Sequence, residues 1–537
     1  MKKRVCFLLA ALACCLCVRA QFVSRAWCPD AGDGTYRNPV LMADYSDPDV
    51  IRVGDDYWMT SSSFNCVPGL QILHSTDLVN WEIVNAVFDR LVPEEEFSAP
   101  GHGNGVWAPS IRYHEGTYYV YWGDPDHGIY MCKSSDPRGE WSAPHLVKAG
   151  KGMIDTCPLW DDDGRAYLVH AWAGSRAGLK SVLSVAEMSP DGERLIGEEV
   201  LVFDGHAEHP TVEGPKFYKR TGYYYIFAPA GGVKPGWQIV LRSKNVYGPY
   251  ECRTVMHRGD TGINGPHQGG WVDDVEGNHW FLHFQDRYAY GRVVHLQPMT
   301  WDEEDWCIIG VDTNGDGIGE PVAGYRKPAS RVASAVRTPA DSDDFDTPRL
   351  GLQWQWHANP GIAWYMLNPS QGFLRLYCKK QAPGLRNLWD MPNLLLQKLV
   401  AEEYTATAKL RFTPGGAGDR TGLVVMGMDY ATLELRQGAD GMTLCYNVCK
   451  NAIDGAAEER LAEIPFDGGD IWLRVTIGKG ALCDFSYSTD GKRFKKLPGS
   501  FKAREGRWIG AKLGFYASSE GTATDGRTDI DYLHVER

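Results

Sequence analysis

A chain of 537 residues is long enough for two or more domains, and a formal net charge of −13 argues against nucleic acid or an anionic membrane as its partner. That balance suits a neutral substrate and excludes little else. Aromatic residues reach 12%, with 19 Trp and 26 Tyr, which in a strand-rich chain is first a packing fact and second a supply of sugar-stacking faces.

Residues 1–20 read as a secretory leader. Lys2-Lys3-Arg4 is the basic start, Val5 to Cys17 the apolar stretch, and Val18-Arg19-Ala20 a small-x-small cleavage site. The expectation is a secreted or periplasmic protein, with a lipid anchor on Cys14 as the weaker alternative. The apolar run is too short to span a bilayer, and no other stretch is suited to it, so no membrane span is expected. Removing residues 1–20 takes away four cationic side chains and no acid, which moves the net charge from −13 to −17. It also removes four of the 14 cysteines; the ten that remain are scattered without a Cys-x-x-Cys pair. Mostly buried free thiols are expected, not a zinc site or a disulfide scaffold.

The next stretch, Asn38-Pro-Val-Leu-Met-Ala-Asp-Tyr-Ser-Asp-Pro-Asp-Val-Ile-Arg52, introduces a pattern that recurs along the chain. Asp47 precedes a proline and is therefore expected in extended backbone. A strand, a Gly54 turn and the aromatic strand Tyr57-Trp-Met-Thr60 come after it. Similar units start at Ala108, Asp155, Glu213 and His267, with turns at Gly116, Gly164, Gly222 and Gly277. Start-to-start spacings of 61, 47, 58 and 54 residues suit propeller blades, so the sequence predicts a five-bladed β-propeller over residues 21–328. In that architecture the first strands of all blades converge on one axis. Asp47, Asp155 and Glu213, far apart in sequence, then meet there with His267 beside them.

Asp312-Thr-Asn-Gly-Asp-Gly317 looks like half a calcium loop, but Ala323 stands where the twelfth-position Glu belongs, and it reads as a polar turn. Residues 329–341 read as a linker. Residues 342–537 return to strands separated by turns such as Gly415-Gly416 and Thr489-Asp-Gly491, and predict a β-sandwich. Asp344-Phe-Asp346 and Asp529-Ile-Asp531 suggest that its first and last strands pair.

Three carboxyl groups around an axis, with His, Arg and aromatics nearby, suit hydrolysis of a glycosidic bond. That reaction needs one carboxylate to activate water and one protonated acid to release the leaving oxygen. A third acid can hold the donor's proton by like-charge repulsion. The alternative is that each acid caps a loop.

The residues resemble glycoside hydrolase family 43. The resemblance rests on Asn38-Pro-Val through Ser46-Asp-Pro-Asp-Val50, His74-Ser-Thr-Asp-Leu-Val-Asn-Trp81, Val106-Trp-Ala-Pro109, Ile154-Asp155 with Trp160-Asp-Asp-Asp-Gly-Arg-Ala-Tyr167, and Glu213-Gly-Pro with Gly222-Tyr-Tyr-Tyr225. It covers roughly residues 34–328. It implies an inverting enzyme with Asp47 as general base, Glu213 as general acid and Asp155 as pKa modulator and orienter. It further implies substrate contacts from Trp107, Arg292 and His267, with no cofactor required and a calcium ion near the axis, beside His267, in some members. The sandwich resembles the concanavalin A-like C-terminal domain of the family's xylosidase branch. One departure stands out: Thr-Cys-Pro follows Asp155 where the family often has Asp-Pro, so a slightly different backbone is expected there. The expected function is an exo-acting hydrolase removing terminal α-L-arabinofuranosyl or β-D-xylosyl units from plant cell-wall carbohydrate. An endo-acting arabinanase and a non-catalytic carbohydrate-binding protein are the alternatives. The sequence does not indicate an oligomeric state.

Overall fold

A computed structural model describes residues 22–521 and 525–537. The leader expected at residues 1–20 lies outside the described residues.

Five four-stranded antiparallel sheets succeed one another along the chain, each built from strands consecutive in sequence. They are the blades of a five-bladed β-propeller. Blade I runs from Asp49–Val53 to Glu82–Phe88, blade II from Trp107–His114 to His145–Ala149, and blade III from Met153–Trp160 to Val200–Asp204. Blade IV runs from Lys216–Arg220 to Glu251–Met256, and blade V from His267–Asp273 to Cys307–Ile309. The middle strands are covered on both faces and read accordingly as near-continuous apolar runs, such as Tyr223–Ala230 and Val182–Met188. Apolar side chains of neighbouring blades pack into separate cores, for example Ile154, Val169 and Leu183 with Phe217, Ile226 and Leu241 between blades III and IV.

Among the described residues no strand is exchanged to close the ring. Blades V and I instead share a core that includes Val50, Tyr57, Leu73, Leu282 and Leu296. A bridge between Leu41 and Val294 and a two-stranded ribbon, Thr35–Arg37 with Gly324–Arg326, complete the seam. The segment Asp312–Gly317 is a turn whose Asp312 carboxylate accepts from the amides of Gly315 (2.7 Å) and Gly317 (3.0 Å). Residues 329–341 run along the outside of the propeller, where Ala329 N donates to Asp274 and Arg337 pairs with Glu82.

The second domain is a β-sandwich of two eight-stranded sheets. Its last strand, Arg527–Glu536, pairs mainly with Tyr404–Thr413 and Phe373–Tyr377. The pairing expected between the two ends of the domain comes down to one bridge, in which Asp343 and Leu533 exchange backbone hydrogen bonds of 2.9 Å. All ten cysteines of the described residues are free, eight of them buried.

The two domains are packed together. Val67 and Trp356 exchange backbone hydrogen bonds, His102 stacks on Trp389 with centroids 3.6 Å apart, and Ala511 N donates to Ala289 O at 2.7 Å. One apolar core runs from blades I and II into the sandwich.

Candidate active site

The start of each innermost strand carries one residue in the left-handed backbone region: Asp47 (φ 55°), Ala108 (34°), Asp155 (60°), Gly214 (58°) and Gln268 (34°). Such conformations cost about 1–3 kcal/mol for a non-glycine residue and persist only where the surroundings impose them. Asp47 is therefore not extended as its proline neighbour implied. Its Oδ2 accepts from the Ser46 hydroxyl at 2.9 Å and the Ser62 hydroxyl at 2.6 Å, and the Arg292 guanidinium lies 3.2 Å from Oδ1. These bonds outweigh the local preference. The different residues after Asp155 do not change its backbone either, since its φ is within a few degrees of that of Asp47.

The same pattern corrects the phase of the repeat. Blades IV and V place the strained residue one position later, at Gly214 and Gln268, so Glu213 and His267 are equivalent to Ser46, Trp107 and Ile154. Gln268, not His267, reaches Asp155, with Nε2 3.4 Å from Oδ2. Gly214 donates its amide to the same oxygen at 2.7 Å, and a side chain at Gly214 would sit 2.5 Å from Gln268.

Asp47, Trp107, Asp155, Glu213 and Arg292 line one small cavity of about 100 Å³ at the axis. Asp155 is fully enclosed. Burial, then the Glu213 and Asp47 carboxylates, push its pKa well above the usual carboxylate range. Glu213 is the accessible member, with 26% of its side chain exposed. His267 does not line the cavity. It stands buried behind Glu213, with Nε2 3.3 Å from Oε1 and no well-aligned hydrogen bond on either ring nitrogen. The substrate contact expected of it would require an open face that burial removes.

Calcium takes six to eight oxygen ligands. Among the described residues, Glu213 is the carboxylate within ion-pair distance of His267. No group of three or more His, Cys, Asp or Glu side chains among the described residues is gathered closely enough to hold a metal. The donor set does not fit an ion held by protein side chains at this position, and no catalytic step is routed through one.

Several cavity residues carried no signal in the sequence. Phe64 comes from a loop of blade I, Val233 from blade IV, and Trp508 from the sandwich. Trp107 is flanked edge-on by Phe64 (6.4 Å between centroids) and Trp508 (6.3 Å). The Trp508 loop is fixed through Asp44: one carboxylate oxygen accepts from Gly510 N at 3.0 Å, the other from Arg292 N at 2.8 Å. A single buried acid thus joins the sandwich loop to the arginine that holds Asp47.

A five-bladed propeller whose axis gathers three carboxyl groups, one held among hydrogen-bond donors, one buried and one open, defines a glycosidase-type protein. The family described as Glycosyl hydrolases family 43 matches residues 36–307, and a Beta xylosidase C-terminal Concanavalin A-like domain matches residues 342–536. The chain belongs to glycoside hydrolase family 43. A putative beta-xylosidase of Xylanibacter ruminicola is 40% identical over 513 residues, covering 93% of this chain and 89% of that protein. A non-reducing end alpha-L-arabinofuranosidase of Bacteroides ovatus is 28% identical, covering 93% and 94%. The crystal structure of a family-43 protein from Bacillus licheniformis superimposes with a TM-score of 0.80 at 26% identity, over 94% of this chain and 99% of that one.

Proposed function

We propose that this protein is a secreted, inverting, exo-acting glycosidase that removes terminal β-D-xylosyl or α-L-arabinofuranosyl units from plant cell-wall glycans. The observation that carries the reading is the shape of the cavity. At about 100 Å³, walled by Phe64 and Trp107 and flanked by Trp508 of the sandwich, it suits one sugar unit and not a chain passing through. The names of the relatives, beta-xylosidase and alpha-L-arabinofuranosidase, support the pair of substrates. The basic and then apolar residues 2–17 support export.

In the proposed reaction Asp47, held by Ser46, Ser62 and Arg292, accepts a proton from a water molecule whose oxygen bonds to the anomeric carbon. The glycosidic C–O bond breaks on the opposite side of the sugar, and the leaving oxygen takes a proton from Glu213. Asp155 keeps that proton available by opposing a second negative charge beside it. Water attacks once, so the configuration inverts.

The test is turnover of nitrophenyl β-D-xyloside and α-L-arabinofuranoside, with product analysis on xylan and arabinan. Free pentose as the first product, with the inverted anomer seen first by NMR, is expected. A retained anomer overturns the inverting mechanism, early release of mixed oligosaccharides overturns exo action, and binding without any product overturns catalysis.

A further inference from the structure

The cavity is not isolated. A cleft of about 380 Å³ between the domains adjoins it, and the two share Val233, Arg292 and Trp508 as walls. That volume falls within the roughly 300–1,000 Å³ typical of ligand pockets. Tyr288 and Lys234 of the propeller line one side; Met428, Ile453 and Arg507 of the sandwich line the other.

Only three aromatic side chains among the described residues are strongly exposed: Tyr113, Tyr288 and Trp508, at 45%, 61% and 48%. Two of the three flank this one cleft, and both are held at positive φ, 53° for Tyr288 and 65° for Trp508. Exposing a large ring and straining the backbone beneath it are each unfavourable, and strain of this kind collects at ligand clamps. The two loops are tied to each other. Ala511 N donates to Ala289 O at 2.7 Å, and Gly510 packs so closely on Gly291 that an added Cβ would lie 2.8 Å from its nitrogen. Tyr288 is further set by its backbone N–H, which donates to the Asp286 carboxylate at 3.1 Å, and by the Lys234 ammonium 4.0 Å from its ring centre.

We propose that Tyr288 and Trp508 form a clamp for the part of the glycan that leaves: two or more neutral sugar units beyond the scissile bond lie in the interdomain cleft. Aromatic rings offer apolar faces to sugar C–H groups, and Lys234, Asp286 and Arg507 offer partners to the hydroxyls. The inference rests on the exo-glycosidase reading of the cavity. It makes oligosaccharides of three or more units, not disaccharides or aryl glycosides, the substrates this site is built for.

The test compares kcat/KM on xylo- and arabino-oligosaccharides of two to five units in the wild type, Tyr288→Ala and Tyr288→Phe. Wild-type efficiency should rise with length by about tenfold, equivalent to ~1.4 kcal/mol, mainly through KM. Tyr288→Ala should flatten that rise, and Tyr288→Phe should keep it, because the ring does the stacking. A wild-type efficiency independent of length, or a rise that survives Tyr288→Ala, overturns the clamp. If the wild type cleaves no pentoside, the function reading fails separately, and the clamp is read by calorimetry with the same oligosaccharides on Asp47→Asn. Length-dependent binding that Tyr288→Ala abolishes then supports the clamp, and its absence overturns it.

Discussion

Asp155 and Glu434 are both hidden from water, one at the propeller axis and one inside the sandwich, and they keep opposite company. Glu434 accepts from Asn447 at 3.0 Å and from the Tyr516 hydroxyl, and the Arg420 guanidinium lies 3.7 Å away, itself 3.0 Å from Glu458. Asp155 has a backbone amide and a distant glutamine amide, sits on strained backbone, and faces two further acids. Burial pushes both carboxyl groups up. The next influence has the opposite sign in the two places: Glu213 raises Asp155 further, whereas Arg420 pulls Glu434 down. A perturbed acid is therefore not in itself a sign of function, since buried ion-pair networks perturb acids too. An acid whose neighbours make its charge worse, at the wall of a cavity, is the better candidate for chemistry.

The sharpest way to break this comparison is at the cavity. Asp47→Asn and Glu213→Gln should each lower kcat by ~10²–10⁴-fold, the usual contribution of a general base or acid, and Glu213→Gln should leave thermal unfolding little changed. Near-wild-type turnover in either variant removes that residue from the mechanism. In the sandwich the expected effect is the reverse. Arg420→Met strips the cation from Glu434 and Glu458 and should destabilise the protein by about 3–5 kcal/mol, since it leaves buried charge uncompensated. Turnover per folded molecule should stay the same. Denaturant unfolding and active-site titration separate the two, and a loss of kcat without loss of stability would erase the distinction.

How much of this is legible in the sequence differs between the same two regions. The propeller acids can be found because a repeat converts distance along the chain into convergence in space. In blades IV and V, however, the sequence pattern runs one residue out of phase with the structure. Gly214 and Gln268, which hold the strained position there, look like nothing in particular in the sequence, so the pattern points to the neighbouring His267 instead. Pro48 suggests extended backbone at Asp47; hydroxyls from Ser46 and Ser62 and the guanidinium of Arg292 override it, and two of those three are remote in sequence. Trp508 is out of reach altogether. Its place in the cavity depends on how one domain docks on another, through Asp44 and Gly510, which are 466 residues apart.

That docking yields a third prediction. In Gly510→Ala the new methyl would meet Gly291 N at 2.8 Å and its Cα at 2.9 Å, backbone atoms that cannot turn aside. Overpacking of this kind typically costs about 1–3 kcal/mol. Because Gly291 precedes Arg292 and Gly510 follows the Trp508 loop, the strain should appear as a fall in kcat/KM along with a lower melting temperature. A variant that loses stability with kcat/KM intact would show that the sandwich loop only covers the propeller and does not help set its site.

The smallest expected effect is the most informative about Asp155. Asparagine at this position can still accept from Gly214 N, so Asp155→Asn removes the charge and spares the loop. The Glu213 and Asp155 carboxylates repel each other, which pushes Asp155 up and, in the proposed mechanism, keeps the donor's proton on Glu213. Without one of them the proton leaves sooner. The alkaline limb of the rate profile should therefore move to lower pH by about one unit, ~1.4 kcal/mol. Substrates with good leaving groups need little proton donation and should lose less than those with poor ones. Stability should respond in the opposite sense. An acid whose pKa is higher folded than unfolded binds more protons in the native state, so stability falls as pH rises from the ordinary carboxylate range towards the raised value. Asp155→Asn is freed of that penalty. It should melt higher than the wild type at neutral pH, with the advantage vanishing in acid below the ordinary carboxylate pKa. An unchanged pH–rate profile, equal losses on both kinds of substrate and no gain in melting temperature at neutral pH would together make Asp155 a loop cap and nothing more, and the contrast with Glu434 would collapse.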